Sequence, residues 1–529
     1  MLLVAFCGFL FFYGLGAFGL MGADEPRYAQ IAREMMERGD WVTPTLQGKP
    51  WLEKPVLYYW EAALSFRALG VSDRAARVPG AVDAALLVAA LYFFLRRFRP
   101  GSEFDGALIT ASCAGIVGFA RAASTDMPLT ACFAIALLCW YAWYENRRRI
   151  ELAAFYAFMG IGTLAKGPVA LALPVVIVFL FVAIKREWRV IGASLWLPGV
   201  ALYLAVTLPW YVLVQHRNPE FFRFFILEHN FARFSQNVYH HPQPFWFYLP
   251  VFLLATMPWT LVLILAFAER ARLVWCEGKE AFSNPEDSWV LFLWIWMLVP
   301  VLFFSASRSK LPGYILPAVP AGGLLVAEFV AGRRVAKNTS GETKLSLWFA
   351  AGHGIVCGVL IFAALTAAPV ALNRYLIWDT RTWVAAAAGA VCAAGIVAAL
   401  RSGAGIGLIS RATTFAVVVS IAAVIRFAAP ALDATQSARP IAANILAFSR
   451  EPVPVALYHL SREQKYGLEF YLNRAAAKYE DGNIPAAPHV VVAAQGAQTQ
   501  VAEMVPGRKV SYLTRISAEK VELYWVGKP

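Results

Sequence analysis

The sequence predicts an all-α polytopic membrane protein closed at its C-terminus by a small α/β domain. Three observations carry that reading. Of 529 residues, 59% are hydrophobic and only 15% charged, and mean hydropathy is +0.56, whereas soluble chains run near 45–50% apolar and about 25% charged. Apolar stretches long enough for spans, about 20 residues each, recur along most of the chain. From about residue 434 the composition turns to that of a soluble domain. A soluble enzyme and a disordered chain are both excluded.

Thirteen spans are expected, at about 2–21, 78–95, 106–120, 127–144, 150–165, 168–184, 190–214, 245–267, 288–304, 312–331, 345–369, 382–400 and 404–428. The first has no basic region before it and is read as a retained span, trimmed at its start, rather than a cleaved signal. The net charge of +13 does not indicate nucleic acid, because the basic residues sit in short runs between spans. Arg96/Arg97/Arg99, Arg147/Arg148/Arg149, Lys185/Arg186/Arg189, Arg270/Arg272/Lys279, Arg333/Arg334/Lys337/Lys344 and Arg401/Arg411 fall in every second loop and define the cytoplasmic side. An odd number of spans then puts the C-terminal region outside. The seven cysteines lie almost entirely in apolar segments, without a CxxC pair, and read as small buried side chains.

Two outward loops, 22–77 and 215–244, are longer than a connection needs. Their tryptophans, prolines and apolar periodicity predict order. They hold Arg27, Arg33, Arg38, Lys49, Lys54, Arg67, Arg74, Arg77, Arg217, Arg223 and Arg233 against the positive-inside trend, which suggests phosphate to bind on that side. In the C-terminal part, 453–460, 489–495, 509–515 and 519–526 read as strands, and 437–450 and 462–472 as helices. No 20–50-residue repeat is present, and no chemical motif appears in this domain.

Chemistry concentrates in three places. Asp24-Glu25-Pro26-Arg27-Tyr28 opens a helix whose Tyr28, Ile31, Ala32, Met35 and Met36 share one face, as in an amphipathic helix lying on the outer membrane surface. Asp24 could be only an N-cap, but that accounts for one acid better than two. Trp51-Leu52-Glu53-Lys54-Pro55 precedes the aromatic run to Trp60; Lys54 could hold a lipid phosphate as a point charge, and Glu53 a cation or an amine. Ser305, Ser307, Arg308, Ser309, Lys310 and Tyr314 make a candidate anion site, the alternative being a snorkelling interfacial loop. Smaller signals are Ser124-Thr125-Asp126, where Asp126 could be an N-cap, and Lys166-Gly167-Pro168. His229, His240 and His241 read as solvated residues rather than ligands. No Walker loop, dinucleotide fingerprint or HExxH is present, so an ATP-driven pump is unsupported. A lipid flippase would keep its basic residues along an intramembrane path, not at the outer surface.

Asp24-Glu25, Gly48…Glu53-Lys54-Pro55…Tyr59-Trp60, Arg77-x-Pro79, Leu164-x-Lys166-Gly167-Pro168 and Ser309-Lys310-Leu311-Pro312-Gly313-Tyr314-Ile315-Leu316-Pro317 resemble the bacterial lipid-to-lipid glycosyltransferases of the GT-C class. The match is nearest the branch that moves 4-amino-4-deoxy-L-arabinose onto lipid A, and it is similar to the protein O-mannosyltransferases. The acid pair marks only the class; the Lys-Leu-Pro-Gly-Tyr loop is more specific to the aminoarabinose branch. Val56 departs from the pattern, standing where a second proline often follows.

The resemblance implies a GT-C catalytic domain over 1–430 and a periplasmic α/β domain over 431–529, in a bacterial inner-membrane protein whose site faces the periplasm. Its partners would be an undecaprenyl-phosphate-linked sugar, lipid A and inner-membrane lipid, with no nucleic acid and a monomeric state. Lys54 and Tyr314, with Lys310 and Arg27, would hold the carrier phosphate. Asp24 and Glu53 would orient these cations, bind the sugar amine or hold a divalent cation at Glu53, the only cofactor implied. Glu25 and Asp126 complete the catalytic acids, and Tyr28, Tyr59 and Lys166 the binding residues. Transfer of another sugar, such as mannose, to protein or glycan is the alternative.

Overall fold

The computed structural model describes residues 1–225, 228, 243–277, 285–340, 347–373, 375–376, 378–401, 405–448 and 453–528. Its helices run in chain order as α1 (Leu2–Cys7), α2 (Asp24–Arg38), α3 (Leu57–Leu69), α4 (Asp73–Phe98), α5 (Glu103–Ala111), α6 (Ala114–Ala120), α7 (Asp126–Asn146), α8 (Arg149–Lys166), α9 (Val169–Lys185), α10 (Trp188–Ser194) and α11 (Leu197–Arg217). They continue as α12 (Tyr248–Ala255), α13 (Thr260–Glu277), α14 (Pro285–Ala306), α15 (Val319–Ser340), α16 (Leu347–Asn373), α17 (Thr380–Arg401), α18 (Ile409–Ala423) and α19 (Ala429–Gln436).

Each expected span overlaps helix, although the first stays helical only to Phe12, and the count differs. Among the described residues eight helices are long and apolar enough to cross a membrane, or ten if each of two bent pairs is one span. Leu2–Phe12 and α9 are apolar but short, and α8 holds Arg149, Glu151 and Lys166 within its 18 residues. The bent pairs correct two stretches that read as straight. α5 and α6 meet at 65°, and Phe245–Ala255 meets Thr260–Cys276 at 115°. Backbone groups released by a break in an apolar layer must find partners within the protein, and the two breaks serve each other. Ala114 N donates to Met257 O at 2.8 Å, and Trp259 Nε1 donates to Ser112 Oγ at 2.9 Å.

The basic loops lie at one end of the bundle, cross-linked by Arg99–Glu145 at 2.6 Å, Arg97–Glu151 at 3.1 Å, Arg270–Asp287 at 2.8 Å and the Arg334–Asp105 pair. Loop 22–77 folds at the other end as α2, a hairpin of β1 (Thr45–Leu46) and β2 (Lys49–Pro50), and α3. Glu34 of α2 holds the hairpin, accepting from Thr45 Oγ1 at 2.7 Å, Gln47 N at 2.8 Å and Gly48 N at 3.1 Å. The apolar face of α2 is the expected one, but it does not lie on lipid. Tyr28, Ile31, Ala32 and Met35 bury against Val56, Tyr58, Tyr59 and Phe66.

Beyond α19 come α20 (Arg439–Phe448), β3 (Val455–Tyr458), α21 (Arg462–Leu472), β4 (Ala477–Lys478), β5 (His489–Ala494), α22 (Gln498–Met504), β6 (Val510–Ile516) and β7 (Val521–Val526). The sheet order is β4-β3-β5-β7-β6, parallel through β4-β3-β5 and antiparallel through β5-β7-β6. The period-two alternation of side chains separates its two cores. Val455, Leu457, Val490, Val492 and Leu523 pack with residues of α20 and α21, and Ala456, Val491, Ala493 and Tyr524 with Val501 of α22. The expected strands and helices are present at close to their expected limits. β4 and α22 went unseen because two and seven residues are too few for periodicity to register.

This domain is seated on the start of the chain. Tyr471 Oη donates to Asp73 at 2.6 Å and accepts from Leu20 N at 2.7 Å. Arg439 pairs with Asp73 at 3.0 Å and Asp433 at 2.8 Å, and Asp433 accepts from Gly19 N at 2.7 Å. A Cβ on Gly19 would stand 2.1 Å from Ser437 Oγ, so only glycine permits the approach. Beneath this contact lies Arg77. Its Nε and Nη2 meet Glu25 at 3.0 and 2.7 Å, Nη1 donates to Leu15 O and Phe18 O, and Nη2 also donates to Gly19 O.

Removing one partner of a buried ion pair costs about 3–5 kcal/mol because the other charge is left uncompensated. Glu25→Ala should therefore lower the melting temperature of the detergent-solubilised protein by several degrees, measured by tryptophan fluorescence. Melting like that of the unsubstituted chain would remove the central role given to this pair.

Candidate functional site

The acids and cations of loop 22–77 meet the starts of α7 and α8's far end in one region, opposite the basic loops. Asp24 and Glu25 open α2, and neither is an N-cap: that position is Ala23, without a side-chain hydrogen bond. Successive helical residues point about 100° apart, which separates the two acids. Glu25 turns inward, where Arg77, Met21 N at 2.8 Å and Ala123 N at 2.8 Å occupy both its oxygens. Both oxygens of Glu25 are thus engaged in holding the surrounding chain together. Asp24 turns outward with its side chain 56% exposed, paired with Arg27 Nη2 at 2.5 Å.

The Arg27 side chain is only 7% exposed. Its guanidinium carbon lies 5.2 Å from the ring centre of Tyr28, 5.1 Å from Trp51 and 5.6 Å from Tyr466. Burial works against its charge, but Tyr28, Asp24, Glu53 and Tyr59 outweigh it and hold the pKa above the ordinary arginine value. Burial raises the Tyr28 hydroxyl, with Asp24 adding to it, Arg27 opposing, and Asp126 and Glu53 contributing. Burial likewise raises Tyr59, with Tyr28 adding and Arg27 opposing. Asp24, Glu53 and Asp126 thus surround one phenol. Lys54, half-buried, follows Glu53 directly in the chain.

Asp126 opens α7. Its backbone N is served by Ser124 Oγ at 3.2 Å, which leaves its carboxylate to the Lys166 ammonium at the end of α8. Lys166 Nζ lies 4.7 Å from the centre of the Tyr314 ring. Gly313 permits this: a Cβ there would meet Asp126 Cγ at 2.8 Å and Phe119 Cζ at 2.9 Å. The structure thus gathers Asp24, Arg27, Tyr28, Glu53 and Tyr59 into one group, and Asp126, Lys166 and Tyr314 into a second beside it.

The serine-rich loop contributes less than its composition suggested. Lys310 is buried, its ammonium donates to Ser307 O and, at 3.1 Å, to Gln243 O, and burial lowers its pKa. Ser307 Oγ donates to Ser309 O at 3.1 Å. The Lys310 ammonium is thus held by backbone carbonyls of the loop and of Gln243, while the buried Ser309 Oγ has no hydrogen-bond partner among the described residues. Among the described residues no three His, Cys, Asp or Glu side chains gather as a metal site, which gives no support to a divalent cation at Glu53. Arg233, His229, His240 and His241 lie outside the described residues. Sequence reasoning missed Tyr466, whose only signal is its i, i+4 spacing from Phe470 on α21. A cavity of about 1080 Å³ lies at the basic end, among Arg99, Glu145, Glu187 and Arg334, far from these groups.

The fold is a bundle of bent and straight spans with polar groups gathered at one end under a small α/β domain, and it is shared with solved membrane proteins. It matches ArnT from Cupriavidus metallidurans bound to undecaprenyl phosphate with a TM-score of 0.77, 23% identity, and coverage of 99% of this chain and 97% of that one. It also matches the archaeal oligosaccharyltransferase AglB from Archaeoglobus fulgidus, with a TM-score of 0.51, 10% identity, and coverage of 95% and 70%. A family described as dolichyl-phosphate-mannose-protein mannosyltransferase matches residues 53–212.

In sequence the chain is a relative of the undecaprenyl phosphate-alpha-4-amino-4-deoxy-L-arabinose arabinosyl transferases. It is 35% identical over 361 residues to the one from Pseudomonas aeruginosa strain UCBPP-PA14, covering 66% of this chain and 63% of that protein. The second such enzyme of Pseudomonas fluorescens strain Pf0-1 is 32% identical over 329 residues, 60% of this chain and 57% of that one. The similarity thus spans somewhat less than two thirds of these relatives' own length.

Overfilling a packed site costs about 1–3 kcal/mol, and at Gly313 the atoms in the way include the carboxylate that holds Lys166. Gly313→Ala should therefore lower thermal stability by that amount and displace the Asp126–Lys166 pair. A Gly313→Ala protein melting within a degree of the unsubstituted chain would show that the approach of Tyr314 to α7 is looser than described.

Proposed function

We propose that this multi-pass membrane protein transfers 4-amino-4-deoxy-L-arabinose from undecaprenyl phosphate to a phosphate of lipid A, at the periplasmic face of the bacterial inner membrane. The observation that carries the reading is the meeting of Asp24–Arg27 and Asp126–Lys166–Tyr314 at one end of the bundle, in a relative of the aminoarabinose transferases.

The reaction sets what these groups must do. The acceptor phosphate oxygen is already anionic at neutral pH, so it forms the new bond to the sugar C1 without a strong general base. The bond from C1 to the carrier phosphate breaks, and negative charge gathers on the departing lipid phosphate. Fixed cations aimed at that charge lower the barrier. Arg27 and Lys54 hold the carrier phosphate, with the Tyr314 hydroxyl beside it and Lys166 as a further cation. Asp24 keeps Arg27 oriented and, being half exposed, faces the arriving sugar. Glu53 takes the sugar's ammonium. Tyr28 and Tyr59 wall the pocket. The match to the mannosyltransferase family over 53–212 favours, as second reading, transfer of a hexose to protein or glycan. Purified protein given aminoarabinosyl undecaprenyl phosphate with lipid A or with a protein acceptor decides between them by mass spectrometry.

Two further outcomes are expected. Asp24→Asn keeps the shape but loses the charge that holds Arg27, and should abolish transfer without unfolding the protein. Lys54→Ala should weaken undecaprenyl phosphate binding by roughly ten- to a hundred-fold, the loss of one charge-assisted hydrogen bond of about 1.5–3 kcal/mol, with Lys54→Arg restoring part. Unchanged affinity would move the phosphate contact to Lys166 and Tyr314. For orientation, Glu37→Cys and Asp481→Cys should react with a membrane-impermeant maleimide in intact cells. The exposed Cys276 at the basic end should react only after permeabilisation; the reverse pattern would invert the topology.

A further inference from the structure

The C-terminal domain brings Tyr466 to the site. The capping box at Ser461, whose Oγ accepts from Gln464 N at 3.2 Å while Gln464 Oε1 accepts from Ser461 N at 3.2 Å, fixes where α21 starts. Tyr466 then falls on the second turn, with Phe470 one turn later on the same face. Phe470 is buried in the core that holds Tyr28 and Tyr59. Its backbone O accepts from Arg33 Nη1 at 3.3 Å, and Asn473 Oδ1 accepts from Gln30 Nε2 at 3.3 Å. α21 is thereby laid along α2, and Tyr466 reaches the Arg27 guanidinium.

Arg27 needs such a partner. Among the described residues its ion pair is with a half-exposed aspartate, and its Nε is buried with no hydrogen-bond partner. Guanidinium planes stack on aromatic faces, and Trp51, Tyr28 and Tyr466 supply such faces from three separate segments of the chain. Arg462 at 6.0 Å and Lys465 at 5.5 Å flank the same Tyr466 ring. Three cations thus converge on one ring, an arrangement suited to an incoming anion.

We propose that Tyr466 is a positioning residue: it closes an aromatic box that fixes Arg27 for the carrier phosphate, so that the C-terminal domain completes the transfer site. This rests on the reading that Arg27 contacts that phosphate, and the test separates the two. Full-length Tyr466→Met, which keeps bulk but loses the ring, and Tyr466→Phe are purified beside the unsubstituted protein and checked for equal melting temperatures. Labelling of Arg27 by phenylglyoxal is followed by peptide mass spectrometry, and transfer kinetics are measured with aminoarabinosyl undecaprenyl phosphate. Tyr466→Met should label Arg27 at least five-fold faster and raise the donor KM about five-fold while kcat changes less than two-fold. Tyr466→Phe should restore both, because the ring face and not the hydroxyl meets Arg27. Faster labelling with an unchanged KM would leave the box standing and overturn the phosphate role of Arg27. Labelling no faster in Tyr466→Met would overturn the proposal itself, and so would a loss of both properties in Tyr466→Phe.

Discussion

The buried contact between Arg77 and Glu25 is the constraint on which the site end of the molecule depends. All five guanidinium donors are used, two on Glu25 and three on the carbonyls of Leu15, Phe18 and Gly19, and only arginine offers five in a fixed fork. Glu25 accepts in turn from the backbone at Met21 and Ala123. One ion pair therefore ties together the chain after α1, the start of α2, α4 and the approach to α7. Asp24 stands one residue before Glu25, and Asp126 three residues after Ala123. Asp24 and Asp126, the acids of the proposed site, are thus set in place by Glu25.

The same contact reaches the C-terminal domain. Gly19, whose carbonyl binds Arg77, donates its own N–H to Asp433, and the next residue donates to Tyr471. Asp73 lies one helical turn before Arg77 on α4 and receives both Tyr471 and Arg439. A displacement of the domain would have to break charge-assisted hydrogen bonds, each worth about 1.5–3 kcal/mol, at a seam where Gly19 leaves no room for slippage. α21 rests on α2 beside this seam, so Tyr466 inherits its position from Arg77 by two short steps.

Much of this was legible in the amino acids. The positions of helices followed from apolar runs and the small domain from period-two segments; the Arg27 group was suggested by charges lying where topology did not call for them, whereas Asp126 and Lys166 gave only small signals. What was illegible is instructive. Asp24 and Glu25 are chemically alike and adjacent, and only their 100° separation on α2, with Arg77 waiting on one side, gives them opposite fates. Ser307 and Lys310 have the composition of an anion site, but their donors are turned onto the carbonyls of Ser307, Ser309 and Gln243. The bends of the two broken helices were hidden because each break lies within an apolar run, and its compensating bond crosses from Ala114 to Met257. Tyr466 could not be found because the pairing of α21 with α2 joins segments more than 400 residues apart.

On the proposed function, the charges of the site would let a phosphate be exchanged for a carboxylate. Taking an unpaired cation out of water costs several kcal/mol, and three largely buried cations at this end each hold an acid. Arg27 holds Asp24, Lys166 holds Asp126 and Arg77 holds Glu25. These pairs differ in how readily the acid can leave. Asp24 is 56% exposed and regains water at once when a phosphate takes Arg27. Asp126 is 18% exposed, and Glu25 only 11% with its partner at 1%. Releasing Glu25 would strand two charges, whereas releasing Asp24 strands none. The gradient of exposure across three chemically similar pairs thus separates a closed scaffold at Arg77–Glu25 from an open edge at Arg27–Asp24, and the proposed function would put the first exchange at Arg27, where the aromatic rings keep the guanidinium in place.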